Sequence, residues 1–363
     1  MPTIKSDDEA NLRYCINGRF LTMRMTGVQR YAYELIAKLD GMLENGEACV
    51  LVPKDAVLIN TPAYQNIKLV SCGKRNGYLW EQIDLYSFAK RHRLLAINLC
   101  STAPALDPGI VCIHDMNTRA NPSFFNWKFR LVYRVFYNIF SRRAKCVLTV
   151  SDFSKREIER YYPAAKGKVE VVPNAWQHIE RIEPDLSVLD RSSLKPGSYF
   201  FAMSSLAPNK NLRWIVETAR LNPSETFAVA GGINGKVFGE HEIPRADNVK
   251  YLGYVSDGEA KALMANCKCF LYPTFYEGFG IPPMEALASG APAVAVSDTE
   301  VMHEVYGDSA LYLDPKKPCS NMNKMLYARN DAARYPLKQY SWAASAKLLF
   351  DAMRKHSEKA AVK

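Results

Sequence analysis

The sequence predicts an α/β protein of two Rossmann-like, doubly wound domains. Three observations carry that expectation: two series of short apolar runs, helix-length segments between them, and one break in the pattern near residues 173–197. In the first series, runs at 12–18, 48–52, 67–71, 94–99, 110–114 and 145–150 read as buried strands, with helical periodicity over 27–40, 78–92 and 124–143. Strand runs separated by helix-length segments imply parallel sheets covered on both faces. Around 173–197, Pro173, Pro184, Pro196 and several charges leave no clean period, which marks a linker. The second series then runs through 198–203, 226–230, 249–254, 267–273, 291–296 and 310–314. Two such domains on one linker leave a cleft at the carboxyl ends of their strands, where doubly wound folds bind ligands.

The bulk properties fit this division. A chain of 363 residues can bury two α/β cores, and 48% hydrophobic with 23% charged residues is ordinary globular composition. No apolar run approaches the roughly 18 residues a membrane-spanning helix needs. The polar start, MPTIKSDDEANLR, lacks the apolar core of a signal peptide, so the expected compartment is the cytoplasm. The cysteines agree: Cys15, Cys49, Cys72, Cys112 and Cys146 lie in or beside apolar runs and read as buried free thiols. Cys267 and Cys269 have no second Cys or His pair at zinc-site spacing, so no metal site is expected.

Charge is uneven. Residues 1–180 carry 25 Lys/Arg against 17 Asp/Glu. A basic half suits an anionic membrane, a phosphate-bearing substrate or simply a solvated surface. Nothing resembles a nucleic-acid module. The stretch 124–143, FFNWKFRLVYRVFYNIFSRR, allows two readings. It is an amphipathic face for an anionic membrane, or a core helix whose aromatics are buried.

The most informative stretch is 272–290, YPTFYEGFGIPPMEALASG. A strand ends at Pro273, a loop with Gly278 and Gly280 follows, and Pro282 and Pro283 suit the first turn of a helix that stops at Gly290. Strand, glycine loop and helix start form a phosphate cradle. Glu277 and Glu285 flank it. If all helical, they would stand roughly 12 Å apart along the axis, wider than the about 5–9.5 Å of a glycosidase pair. The span suits the two ends of an extended ligand.

Glu277 and Glu285 match the E-x7-E motif of the large retaining glycosyltransferase family numbered four, and the run 277–315 resembles that family throughout. The likeness extends from residues 16–35 to 340–355, and in detail it is to bacterial O-antigen and exopolysaccharide mannosyltransferases. The resemblance implies the GT-B fold, with an acceptor-side domain over 1–175, a nucleotide-sugar domain over 176–339 and a last helix, 340–357, crossing back to the first domain at Ser341-Trp342. It implies that Glu277 contacts the transferred sugar beside the Phe279 and Gly280 amides, with Ile281 opening the helix. Glu285 would hold the ribose, and Lys210, in Pro208-Asn209-Lys210-Asn211, would neutralise the leaving diphosphate. Ser204 and Ser205 stand where relatives carry a second cation, and Ser205 is assigned to the donor site. Gly27 would let the backbone approach the donor, His114 would bond donor sugar or acceptor, and Asp115 would serve a ligand or cap a turn. Ser151, in Val150-Ser151-Asp152-Phe153-Ser154-Lys155, would serve a ligand or cap a helix.

No nucleophile–base dyad or Asp-x-Asp metal motif stands out. The resemblance therefore implies metal-independent transfer by front-face displacement, with no cofactor beyond a nucleotide-sugar donor, GDP-mannose favoured, and a glycan or polyprenyl-linked acceptor. A sugar-nucleotide epimerase of the same fold and a non-catalytic nucleotide-sugar sensor are the alternatives. A dehydrogenase lacks its G-x-G-x-x-G, since residues 16–30 offer only Gly18 and Gly27.

Overall fold

A computed structural model describes residues 11–59, 62–203, 207–232, 245–327 and 335–361. The chain divides into two compact units. Unit 1 comprises Met1–Met116, Leu131–Asn174 and Trp342–Lys363; unit 2 comprises Asn117–Arg130 and Ala175–Ser341. The segment Asn117–Arg130 comes from the first half of the sequence yet belongs to unit 2. There the Phe124 ring packs 6.0 Å from that of Phe275.

Unit 1 is built on seven strands: β1 (Tyr14–Asn17), β2 (Ala48–Pro53), β3 (Lys68–Cys72), β4 (Leu95–Asn98), β5 (Ile110–Cys112), β6 (Cys146–Thr149) and β7 (Val169–Val171). Their order is β3-β2-β1-β4-β5-β6-β7, and every pair is parallel. β1, β2, β4, β5 and β6 are buried along their whole length, as strands covered on both faces must be. β7, Val-Glu-Val, was not expected from the sequence: three residues with a charge in the middle leave no apolar run.

Unit 2 repeats the plan with β8 (Tyr199–Met203), β9 (Thr226–Ala230), β10 (Val249–Gly253), β11 (Cys269–Tyr272), β12 (Val294–Ser297) and β13 (Leu311–Leu313). The order is β10-β9-β8-β11-β12-β13, again parallel. Phe200, Phe227, Trp214, Val229 and Leu271 form one side of its core. In both sheets the direction of strand addition reverses once, between β1 and β4 and between β8 and β11. Crevices at the carboxyl ends of strands open at such reversals.

The helices used below are α1 (Gly27–Leu39), α2 (Trp127–Arg143), α3 (Asp152–Tyr161), α4 (Leu212–Leu221), α5 (Ile281–Ser289) and α6 (Trp342–Ala361). The stretch expected to be a linker is not one throughout. It holds a 3-10 turn, Gln177–Arg181, and a short helix, Ser187–Arg191. The prolines erase the period, but His178, Ile179, Val188 and Leu189 are buried and hold the segment to unit 2. Among the described residues no helix is long and apolar enough to cross a membrane.

Helix α6, from the far end of the chain, packs on α1 within unit 1. Trp342 is wholly buried, with its ring 6.3 Å from that of Tyr31. Further along, the Arg354 guanidinium grips both oxygens of buried Glu47, the Nη2–Oε2 bond measuring 3.0 Å. A two-pronged bond of this kind offsets the cost of burying the carboxylate. Trp342→Ala should lower the stability of unit 1 by about 3–5 kcal/mol, the usual cost of emptying an aromatic site. Chemical denaturation measures it, and a loss below about 1 kcal/mol would mean that α6 is not held through this ring.

Candidate functional site

The strongest cluster of chemistry-bearing groups lies at the strand-order reversal of unit 2. Strand β11 ends at Tyr272, and the following loop carries Glu277. After β8, the 3-10 turn Pro208–Lys210 carries Lys210 and leads into α4 through Asn211, held left-handed at φ 56°. The Asn211 amide donates to the Pro315 carbonyl at 2.7 Å, and the Phe275 N–H donates to the Asn209 carbonyl at 2.9 Å. The second bond ties the two loops together, and the first ties the turn to the segment after β13. Lys210 Nζ then lies 2.6 Å from Glu277 Oε1 and donates to the Tyr272 hydroxyl at 2.9 Å. Both charged side chains are less than one-fifth exposed. Lys210 is therefore no solvated surface lysine: it closes a buried-edge triad with Glu277 and Tyr272. Burial pushes the Tyr272 phenol well above its ordinary range, and the Glu277 charge adds to the effect, so the phenol stays neutral.

Helix α5 starts beside this triad. Gly280 precedes it at φ 86°, a left-handed backbone that favours glycine, and the Met302 methyl packs where a Cβ would stand. Tyr306 donates its hydroxyl to the Gly280 carbonyl. Phe279 is buried with its ring 5.1 Å from that of Tyr340, and Ile281 is the first helical residue. Pro282 and Pro283 occupy the first turn, so only part of the usual set of free N–H groups remains at this helix start. The helix ends at Gly290, at φ 102°.

Glu285 lies on the fifth residue of α5, and the helix covers only Ile281 onward, so a spacing computed for continuous helix does not apply to the Glu277–Glu285 pair. Its Oε1 is 2.8 Å from Nε2 of His178. The His178 side chain is almost wholly buried, whereas the carboxylate keeps an exposed edge. Sequence reasoning missed His178. It sits 107 residues before Glu285, inside the stretch read as a linker, and no local pattern marks it.

The remaining expected site residues are in unit 1, apart from Ser205, which with Ser204 lies outside the described residues. Gly27 is exposed and opens α1 after the cap residue Thr26. His114 follows β5, its Nε2 2.8 Å from the Leu99 carbonyl and its ring edge-on to Tyr31 at 4.9 Å. Asp115 beside it is half-buried. Ser151 caps α3, its hydroxyl accepting from the Ser154 N–H at 3.0 Å, and the Ser154 hydroxyl donates to the His114 carbonyl at 3.3 Å. The Val-Ser-Asp-Phe-Ser-Lys element thus anchors the His114 backbone.

Cysteine offers little reactivity. All nine are free, and burial raises those with resolved shifts. At one place among the described residues, Cys146, Glu170 and His356 bring metal-competent atoms within 4.8 Å of one another. There Lys355 already pairs with Glu170 at 2.5 Å, and burial followed by the Glu170 charge holds the Cys146 thiol up at about 12.

The environment of His114 has a measurable consequence. Burial favours the neutral ring and pushes its pKa down to about 4, against the opposing pull of the Leu99 carbonyl. Neutral imidazole donating through Nε2 keeps Nδ1 as an acceptor. The ordinary value is about 6.5. Between the two values the unfolded chain binds the extra proton, so stability is full above about pH 6.5 and falls as pH drops toward about 4. His114→Asn should flatten the dependence of the urea midpoint on pH in this window. Equal slopes in both proteins would show that the ring is not held neutral.

Comparison with known proteins agrees with the geometry. Residues 25–176 match the model of Glycosyltransferase Family 4, and residues 191–334 match that of Glycosyl transferases group 1. O-antigen chain mannosyltransferase B of Escherichia coli is 35% identical over 187 residues, covering 47% of this chain and 48% of that protein. The chain thus spans about half the length of the curated relative it matches. Among solved structures, sucrose-phosphate synthase of Thermosynechococcus elongatus superposes with a TM-score of 0.72 at 13% identity, covering 95% of this chain and 98% of the other. HepE of Anabaena, solved in complex with UDP and glucose, gives 0.61 at 16% identity over 97% of this chain and 100% of the other. The chain is a glycosyltransferase-family protein of the GT-B fold, with a Family 4 domain followed by a group 1 domain.

Proposed function

We propose that the chain is a retaining glycosyltransferase that moves mannose from GDP-mannose to a glycan or polyprenyl-linked acceptor during cell-surface polysaccharide synthesis in the cytoplasm. The observation that carries this reading is the Lys210–Glu277–Tyr272 triad at the strand reversal of unit 2, with Glu285 held by His178 on the adjoining helix. The E. coli relative, a mannosyltransferase by name, supports the sugar, and the UDP and glucose bound to HepE support a nucleotide-sugar donor.

In this scheme Lys210 and Glu277 neutralise each other until the donor arrives. A diphosphate offers Lys210 more negative charge than one carboxylate does, so the ammonium turns to the phosphates. Glu277 is then free to accept hydrogen bonds from sugar hydroxyls. Glu285, oriented by His178, accepts from the ribose. The bond from the anomeric carbon to the diphosphate oxygen breaks and the bond to the acceptor oxygen forms on the same face. The acceptor proton passes to the leaving phosphate. The protein contributes position and charge stabilisation, and the scheme calls for no metal ion. Neutral His114 supplies an acceptor atom for a sugar hydroxyl.

Helix α2 supports peripheral membrane contact. It buries Tyr137, Phe140 and Ser141 and turns much of its apolar content outward, with Trp127 66% and Leu131 52% exposed and Val132 and Val135 also open. A helix serving only the core would bury these side chains. Lys128, Arg130, Arg134, Arg142 and Arg143 lie among them, and α2 contains no acidic residue. Apolar anchors within a basic field suit an anionic lipid surface.

Glu277→Ala and Lys210→Ala should each cut turnover with GDP-mannose by about a hundredfold or more while the far-ultraviolet circular dichroism stays that of the folded protein. Near-wild-type turnover in either variant overturns the scheme. In a thermal-shift panel GDP and GDP-mannose should raise the melting temperature, since a ligand bound to the native state stabilises it; a shift with uridine nucleotides alone replaces the proposed donor. On sedimentation with phosphatidylglycerol vesicles at low salt, Arg142→Glu with Arg143→Glu should weaken binding by about tenfold or more. Wild-type protein that stays in the supernatant ends the membrane reading.

A further inference from the structure

Carboxylates of unit 1 are tied to cations from distant parts of the chain, and the ties differ. Glu81, in the π-helical turn Trp80–Leu85, is buried and accepts from Asn17 Nδ2 at 2.8 Å, Thr102 Oγ1 at 2.8 Å and Arg19 Nη1 at 2.6 Å. Asn17, at the end of β1, also donates to Asn98, at the end of β4, at 3.1 Å. Glu47 has both prongs of Arg354. Glu170 has the ammonium of Lys355 at 2.5 Å, and there the two side chains are 32% and 55% exposed. An open pair of this kind contributes little and exchanges readily.

The groups around Glu170 are those of a soft-metal site. Cys146 opens β6, and Glu170 is the central residue of β7. The strands pair with Leu148 opposite Glu170. Side chains alternate along a strand, so Cys146, Leu148 and Glu170 rise on one face of the sheet. Helix α6 brings His356 to the same place. The Cys146 thiol, a Glu170 oxygen and a His356 ring nitrogen lie within 4.8 Å of one another. His356 Nε2 stands 3.7 Å from Glu170 Oε1. Zinc bonds of about 2.0–2.3 Å set tetrahedral ligands roughly 3.5 Å apart. Imidazole and carboxylate already have that spacing, and an approach of about an ångström by the sulfur completes three ligands. Strand β7 is the last of its sheet, so solvent reaches the carboxylate and can supply a water as the fourth.

The charge balance permits the exchange. With Lys355 in place the set holds one carboxylate and one ammonium, and the thiol keeps its proton. A zinc dication displaces the ammonium into solvent and the thiol proton to water. Thiolate, carboxylate and dication are then again neutral together. Thiolate with imidazole selects zinc over magnesium or calcium, which take oxygen donors. We propose that Cys146, Glu170 and His356 form a structural zinc site that fastens the last helix to the sheet, with the Lys355 ammonium as the competitor for its carboxylate. No step of sugar transfer runs through this site, and the proposal does not rest on the transferase reading.

The test uses the untagged full chain, freed of metal by chelation, with zinc and cobalt(II) as probes. Cobalt should give the intense visible bands of tetrahedral coordination and a near-ultraviolet sulfur-to-metal charge-transfer band, both erased by added zinc. Excess zinc should raise the melting temperature by about 5 °C or more, and magnesium should not. Cys146→Ser should abolish the charge-transfer band, and His356→Gln should weaken zinc binding by about tenfold or more. Should the serine variant fail to fold without metal, the glutamine variant carries the test, since its change lies on a helix that keeps a polar side chain there. Lys355→Ala should bind zinc about two- to fivefold more tightly, the weight of an open ion pair. A lysine that serves only as a surface partner of Glu170 leaves the affinity unmoved, which removes it from the scheme. A cobalt spectrum without the sulfur band, or zinc affinity unchanged by loss of Cys146 or of His356, overturns the proposal.

Discussion

The requirement that a parallel strand be covered on both faces governs this molecule. A sheet so covered offers a ligand only its edges and its ends, and the ends open where the order of strand addition reverses. Each unit has one such reversal. Two clusters of polar chemistry fall at these reversals: Lys210, Tyr272 and Glu277 in unit 2, and Asn17, Arg19, Glu81 and Asn98 in unit 1. The topology therefore selects the place, and the loops after β1, β4, β8 and β11, with the helical turn after β3 that carries Glu81, select the chemistry.

The second constraint is the cost of burying charge. None of the principal ionised groups at these places stands alone: Lys210 meets Glu277, Glu285 meets His178, and Arg19 meets Glu81. The pairs differ in what they leave open. Arg19 is fixed by a carboxylate with three donors on it, so its direction is set before any ligand arrives. Lys210 has one carboxylate that keeps an exposed edge and one buried phenol, and in the proposed scheme a stronger anion claims it. Permanent pairing gives orientation, and exchangeable pairing gives a response to the ligand.

Much of this was legible in the sequence, for reasons that also explain the rest. Strands β1, β2, β4, β5, β6 and most of unit 2 were readable because a doubly covered strand must be apolar at every position. β7 was not, since Val-Glu-Val is too short to make a run. The Glu277–Glu285 stretch was readable because a glycine loop, two prolines and two acids fall within fourteen residues. His178 and Glu81 left no such trace. Their roles depend on partners 107 and 62 residues away, a relation set by the sheet and not by local spacing. The aromatic content of 124–143 allowed both a core and a surface reading, because composition does not state which side of a helix is covered. The structure shows Tyr137 and Phe140 inward and Trp127, Leu131 and Val135 outward.

The start of α5 shows how one local feature shifts the chemistry to another residue. A glycine loop entering a helix ordinarily gathers an anion on several free N–H groups and the positive end of the helix. Pro282 and Pro283 remove two of those groups. The same prolines set the backbone for helix and secure a sharp turn at Gly280, whose carbonyl is tied to Tyr306. The turn gains rigidity and loses donors. In the proposed scheme the attraction for a diphosphate in this unit therefore falls chiefly to the Lys210 ammonium. The Phe275 N–H, bonded to the Asn209 carbonyl, holds the Pro208–Lys210 turn against the β11 loop, and Asn211 ties the same turn to the Pro315 carbonyl after β13. Loosening that turn would therefore misplace the charge it carries.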